Sequence, residues 1–250
     1  MSNVNPTTKM ISIENKIATI TFSHPAHNSL PTDLLDKLTH AITEAGKDDN
    51  VAVIILRSGG ERTFCAGASF DELKSINNFE AGKKFFSGFA NVINAMRLCP
   101  KLIIVRVQGK AVGGGVGIAS AGDYCMATQL ADIKLSELNI GIGPFVIAPA
   151  VERKIGLSAF SELAINASEF RSAAWASQKG LYNAVFETTE QLDIAVKQLA
   201  EKLAASSPAA MREMKKIFWQ NTDHWDNLLI ERAAISGQLI LEVNKKTNNQ

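Results

Sequence analysis

Glu137 is the carboxylate best placed by its surroundings to do acid–base chemistry. It lies in Ile133-Lys134-Leu135-Ser136-Glu137-Leu138-Asn139-Ile140-Gly141-Ile142-Gly143-Pro144, an apolar and glycine-rich stretch. A carboxylate held there loses part of its hydration. Its pKa then rises toward a value suited to proton transfer near neutral pH. Read alone, Glu137 is better explained as a solvated or helix-capping glutamate. Two glycine-rich turns could supply the complementary chemistry. The first is Thr63-Phe64-Cys65-Ala66-Gly67-Ala68-Ser69-Phe70-Asp71-Glu72, in which Ser69 and Glu72 have capping-box spacing and start a helix. The second is Gly109-Lys110-Ala111-Val112-Gly113-Gly114-Gly115-Val116-Gly117. Each follows a buried strand and leads into a helix, whose first N–H groups lack intrahelical partners. Two such donors converging on one point form an oxyanion hole, and removing one donor costs roughly 3–4 kcal/mol of barrier. Otherwise each turn is only a tight connection that needs glycine.

Other chemistries fail on spacing. Counting from Gly113 or Gly115, the sixth position is Ile118 or Ser120, so G-x-G-x-x-G is absent. Neither a G-x-x-x-x-G-K-[ST] phosphate loop nor a G-x-S-x-G nucleophile turn occurs. Of the four histidines only His24 and His27 are neighbours, flanking Pro25 without a carboxylate or thiol at ligand spacing, so no metal site is expected. Asp123, after Gly122 at a helix-to-strand junction, reads as structural. With 26 basic and 25 acidic residues, the net charge of +1 points to neither nucleic acid nor an anionic membrane. Cys65, Cys99 and Cys125 cannot all pair and have no C-x-x-C spacing, which suits a reduced compartment. Residues 1–8 are polar, with neither an export signal nor an Arg-rich presequence, and no apolar run reaches the ~20 residues of a membrane span. A cytoplasmic protein is expected.

The elements that must position these groups are legible as patterns. Residues 10–14 and 17–22 read as strands joined by a hairpin turn at Asn15-Lys16. Residues 31–47 are helical, with Leu34, Leu35, Leu38, Ala41, Ile42 and Ala45 on one stripe. Residues 51–57 and 102–107 are continuous apolar runs, the mark of strands buried on both faces; 124–127 and 133–135 are shorter candidates. A helical pattern over 79–98 lies between them, so the fold class is α/β with a parallel sheet. From about residue 146 strand signals stop. Residues 146–155, 158–166, 172–179, 190–205, 208–219 and 224–243 all read as helices, with Leu192, Ala195, Val196, Leu199 and Leu203 on one stripe.

Taken together and in order, these pieces resemble the crotonase superfamily, the enoyl-CoA hydratase/isomerase family, over about residues 10–243. The resemblance is carried by Pro25 with Asn28, Phe64-Cys65-Ala66-Gly67-Ala68, Val107-Gln108-Gly109, Gly113-Gly114-Gly115, Asp123, and Ser136-Glu137 followed by Gly141 and Pro144. It implies a spiral of ββα units over residues 1–200, and an all-helical C-terminal region over 201–250 serving as cover and oligomer contact. It implies assembly as trimers or dimers of trimers, and an acyl-CoA thioester substrate with no separate cofactor. The implied oxyanion donors are the N–H groups of Ala68 and Gly114. The implied coenzyme A contacts fall on His27, Asn28, Ala66, Gly67 and the basic Lys215.

Two positions depart from the family pattern. The usual acidic residue after Gly67-Ala68 is Ser69, whose hydroxyl can also start a helix. Where hydratases with two catalytic glutamates carry the first of them, this chain has Gly117; the second corresponds to Glu137. With Glu137 alone, shuttling a proton between the α and γ carbons is available, the Δ3,Δ2-enoyl-CoA isomerase reaction. The stretch from Leu135 to Pro144, continuing through Ile147 and Pro149, resembles instead the bacterial methylglutaconyl-CoA hydratase branch. The expectation is therefore a hydratase-type lyase of fatty-acid or branched-chain acyl-CoA degradation. The Δ3,Δ2-isomerase and a non-catalytic acyl-CoA-binding protein are the alternatives.

Overall fold

The computed structural model describes residues 10–248, so the polar stretch 1–8 lies outside the described residues. The chain opens with β1 (Ile11–Glu14) and β2 (Ile17–Phe22). They pair antiparallel across Asn15 and Lys16, whose φ values of 50° and 64° are those of a two-residue primed turn. Helix α1 (Thr32–Lys47) follows and buries the whole leucine–alanine stripe read from the sequence.

Three ββ pairs come next. They are β3 (Val53–Ser58) with β4 (Thr63–Cys65), then, after α2 (Phe70–Ser75) and α3 (Phe79–Leu98), β5 (Leu102–Val107) with β6 (Lys110–Val112). Helix α4 (Gly114–Ser120) leads to β7 (Tyr124–Thr128) and β8 (Ile133–Lys134). The first strand of each pair joins a six-stranded sheet in the order β1-β2-β3-β5-β7-β9, parallel beyond the opening hairpin. The second joins a small parallel sheet, β4-β6-β8. Two sheets fed alternately in this way are the ββα spiral.

A 3₁₀ turn at Glu137–Ile140 leads into α5 (Ala148–Ile165), α6 (Ala173–Gln178), β9 (Ala184–Phe186), α7 (Thr189–Ala204), α8 (Pro208–Phe218) and α9 (Trp225–Asn248). Strand β9 corrects the expectation that strands cease after residue 146. It is three half-buried residues, too short for any alternation to show, and it takes its register from β7 at the sheet edge. Helix α5 is broken at Gly156, where φ is 76°, which reproduces the two helical segments expected there. On α7, Leu192, Val196 and Ala200 cover Val53, Ile104 and Met126 on one face of the large sheet. Each large apolar side chain buried this way contributes roughly 1.5–3 kcal/mol. Arg106 of β5 fastens the same helix through two bonds to Asp193, at 2.6 and 3.1 Å. Among the described residues no helix is long and apolar enough to cross a membrane.

Candidate functional site

The small sheet positions the candidate groups. Ala68 lies three residues beyond β4, Gly114 two beyond β6 and Glu137 three beyond β8. These strands are parallel neighbours, so all three residues emerge at the same, carboxyl edge, spaced by strand separations of ~5 Å. Two glycine-rich turns are evident here in the sequence. The structure places a three-residue strand inside each, and that registers them against one another.

At the first turn Ala68 forms a parallel bridge with Leu30: Leu30 N–H donates to Gly67 at 2.8 Å and Leu30 C=O accepts from Ser69 N–H at 3.3 Å. In that pattern the N–H of Ala68 itself points away from Leu30, and among the described residues it meets no acceptor. Ser69 caps α2 by accepting from Glu72 N–H at 3.4 Å. The return half of the expected capping box is not made. The Glu72 carboxylate instead accepts from Thr32 N–H and Oγ1, at 2.9 and 2.8 Å, and ties α2 to α1. At the second turn Gly113, with φ 53° and ψ −119°, precedes α4, and its carbonyl accepts from Val116 and Gly117. The N–H of Gly114 is left unpaired among the described residues. The two turns are in contact: a Cβ on Gly67 would stand 2.9 Å from Val112 O and 3.5 Å from Gly114 N. Two free donors therefore share one small region of space.

Glu137 completes it. Its Oε1 lies where a Cβ on Gly113 would come within 2.7 Å, and the backbone of Gly113, at φ 53° and ψ −119°, is one that glycine adopts freely. The residue is half-buried, yet its Oε2 is shut off from solvent and bonded to nothing among the described residues. Burial raises its pKa to about 7, against the smaller opposing pull of its own backbone N–H. All three groups line one cavity of about 170 Å³, walled mostly by apolar side chains that include Leu73, Phe86, Phe89, Ile140 and Phe145, with the hydroxyls of Ser136 and Ser236. Among the described residues Glu137 is the one charged side chain in that wall. Cys65, beside the first turn, is buried with its thiol pushed up to about 12, so it is no nucleophile at neutral pH. No group of three or more His, Cys, Asp or Glu side chains that could hold a metal ion occurs among the described residues.

The other positions separate. Ala66 and Gly67 line the cavity, and exposed His27 lies beside them, its carbonyl accepting from Ala66 N–H at 3.1 Å. Asn28 is buried and its side-chain amide is occupied: Nδ2 donates to Gly59 and Thr63 carbonyls, both at 2.8 Å, and Oδ1 accepts from His24 N–H at 3.0 Å. Its role is to pin the 23–30 loop to the 59–63 loop, and its side chain is not free for a ligand. Lys215 corrects the expectation more strongly. It is 3 % exposed, and its Nζ donates to Met96 O, Lys101 O and Asp123 Oδ2 at 2.9, 3.1 and 2.7 Å. This cluster sits beyond the far end of α4, roughly 10 Å of helix from Gly114. Asp123 also accepts from Ile103 N–H and Trp219 Nε1, so the pair ties α3, β5 and α8 to the segment between α4 and β7. Lys215→Met is expected to lower the unfolding free energy by about 3–5 kcal/mol, because Asp123 keeps a buried charge without its cation. Urea denaturation checks this; an unchanged midpoint would show the pair to be dispensable.

Gly117 faces Ile147. A Cβ there would come within 2.4 Å of Ile147 Cγ2 and 2.6 Å of its Cβ. Ile147 is 3 % exposed and itself lines the cavity. An aliphatic side chain therefore occupies the place into which an acid on α4 would extend. The sequence held no sign of this pairing, since 30 residues separate the two positions and nothing local links them.

The family model for enoyl-CoA hydratase/isomerase matches residues 12–248. A short-chain-enoyl-CoA hydratase of Clostridium acetobutylicum is 33 % identical over 205 residues, covering 81 % of this chain and 77 % of that protein. A mitochondrial methylglutaconyl-CoA hydratase of Mus musculus is 32 % identical over 213 residues, covering 83 % and 67 %. A crystal structure of a crotonase-type protein from Legionella pneumophila superposes with a TM-score of 0.79 at 29 % identity, covering 85 % of this chain and 82 % of that one. With the alternating two-sheet spiral and the shared edge of β4, β6 and β8, these matches place the chain in the enoyl-CoA hydratase/isomerase family, the crotonase superfamily.

Proposed function

We propose that the chain adds water across the α,β double bond of an enoyl-CoA thioester. The carrying observation is a lone carboxylate in a mostly apolar cavity that is also lined by Ala68 and Gly114, whose N–H groups are free among the described residues. On this reading the thioester oxygen accepts from both donors, which stabilise the enolate formed when water attacks Cβ. Glu137, ionised over roughly half its population near pH 7, takes the water proton and returns it to Cα. The backbone at Ala66 and Gly67, with His27 beside it, is the expected contact for coenzyme A. The hydratases at 33 and 32 % identity support the choice of reaction, and degradation of fatty or branched acyl groups is the process it would serve. Assembly as trimers or dimers of trimers belongs to the same reading.

One observation favours a second reaction. With Ile147 filling the space beside Gly117, Glu137 has no partner carboxylate, and a single base suffices to move a proton from the α to the γ carbon. Incubation with crotonyl-CoA, methylglutaconyl-CoA and 3-hexenoyl-CoA separates the two. Hydration of either 2-enoyl thioester is the expected result. Turnover of 3-hexenoyl-CoA alone would establish the Δ3,Δ2-isomerase instead, and binding of coenzyme A thioesters without turnover would identify a non-catalytic acyl-CoA-binding protein.

A further inference from the structure

Ser236 is a polar group in the cavity wall that none of the preceding chemistry uses. It is 1 % exposed and lies on α9, yet it lines the same cavity as Glu137. A serine inside a helix commonly turns its hydroxyl back to the carbonyl four residues earlier. Ser236 makes no such bond to Arg232, and its hydroxyl has no partner among the described residues. A hydroxyl on the cavity wall with no protein partner is available to bond a molecule held in the cavity. Ser136 also lines the cavity but is only half-buried, on the short turn before Glu137.

The position of Ser236 is held from several sides. A Cβ on its neighbour Gly237 would come within 2.5 Å of Lys83 N, and one on Gly82 within 2.8 Å of Gly237 Cα. Helices α3 and α9 thus cross with backbones almost touching, and this brings Ser236 against the wall that Phe86 and Phe89 of α3 help to form. Along α9, Arg232 donates to Phe145 O at 3.4 Å on one side of the crossing. On the other, Asn244 donates to Leu73 O and Ile76 O at 2.8 and 3.0 Å. The hydroxyl is presented to the cavity by a helix fixed at both ends of the contact.

We infer that Ser236 is a positioning residue that holds, by hydrogen bond, the water molecule that adds to Cβ, supplying the second hold that no acid at position 117 provides. The inference rests on the hydration reading above. In that step the water oxygen forms the bond to Cβ, and the double-bond pair moves to make the enolate on the thioester oxygen. The water proton passes to the Glu137 carboxylate, which then delivers it to Cα as the enolate collapses. Ser236 gains and loses no proton overall.

The test uses the full chain with crotonyl-CoA, and exchange of the α protons of butyryl-CoA in heavy water. The second assay needs only Glu137 and the enolate-stabilising donors, with no water added at Cβ. Ser236→Ala is expected to lower kcat for hydration about tenfold, the worth of one hydrogen bond, with KM and the α-proton exchange rate unchanged. Ser236→Thr, which keeps a hydroxyl, is expected to recover part of kcat. Unchanged hydration by Ser236→Ala overturns the inference alone. An equal fall in exchange and hydration overturns it too, by showing general damage to the site. A wild-type chain that exchanges α protons but hydrates no 2-enoyl thioester overturns the hydration reading and this inference with it.

Discussion

Glu137→Gln is expected to lower turnover of any enoyl thioester by about 10²–10⁴-fold, with little change in substrate affinity. The amide matches the carboxylate in size and keeps the contact with Gly113, but it can neither take nor return a proton. No neighbour can substitute, because no other charged side chain lines the cavity among the described residues. In the wild-type chain kcat/KM should rise as pH passes through about 7, where the carboxylate becomes the working base, and then level off; the Gln variant should lack that limb. Stability runs the other way. A carboxyl group whose pKa is raised from 4.5 to about 7 binds its proton more tightly folded than unfolded. Its contribution is fully present below about pH 4.5, falls as pH rises, and is lost above about 7, where the folded chain carries a buried, unpaired charge at a cost of ~3 kcal/mol. Glu137→Gln removes that cost. Its melting temperature should exceed the wild type's at pH 8 by several degrees, with the gap closing toward pH 4.5. A variant that is inactive yet no more stable at pH 8 would mean that the carboxylate is solvated in the folded chain.

How much of this was legible beforehand depended on the reach of each interaction. The stripe Leu34 to Ala45 and the apolar runs that became β3 and β5 are local patterns, and they appeared in the structure as read. Glu137 stood out because its sequence neighbours are glycines and aliphatic residues, of which Ile140, Ile142 and Gly143 do line the cavity, while Gly113, Phe86 and Phe89 complete its surroundings from distant segments. Strands β4, β6 and β9 were not recognisable, since three residues show no period and take their conformation from a paired neighbour, whereas the short candidate at 133–135 did appear, as β8. Lys215 was misassigned for a related reason. A lysine on an amphipathic helix looks solvent-facing until Asp123, 92 residues away, is seen to meet it. Ser236 gave no signal, because its meaning lies in a missing intrahelical bond and in the Gly82–Gly237 crossing.

Restoring an acid at the departure position should be harmful by itself. In Gly117→Glu the new Cβ falls within 2.4 Å of Ile147 Cγ2, inside contact distance, and Ile147 is buried and lines the cavity. Overpacking of this kind costs about 1–3 kcal/mol, and the carboxylate would then be buried without a partner, which costs several kcal/mol more. The single variant should be strongly destabilised, and any that folds should have its cavity obstructed by the displaced isoleucine. Ile147→Ala alone should cost about 2–5 kcal/mol through lost burial. Combined, the two changes are complementary: the alanine vacates the space that the glutamate side chain needs to reach the cavity. The pair should therefore be more stable than Gly117→Glu alone, with a coupling of about 0.5–3 kcal/mol. It should also place a second carboxylate beside Glu137. Hydration of crotonyl-CoA should then rise relative to Ile147→Ala, while α-proton exchange, which needs only one base, should not. Urea denaturation of the four chains measures the coupling. Additive stabilities would show that Ile147 does not exclude an acid at position 117, and the one-carboxylate site would then need another physical cause.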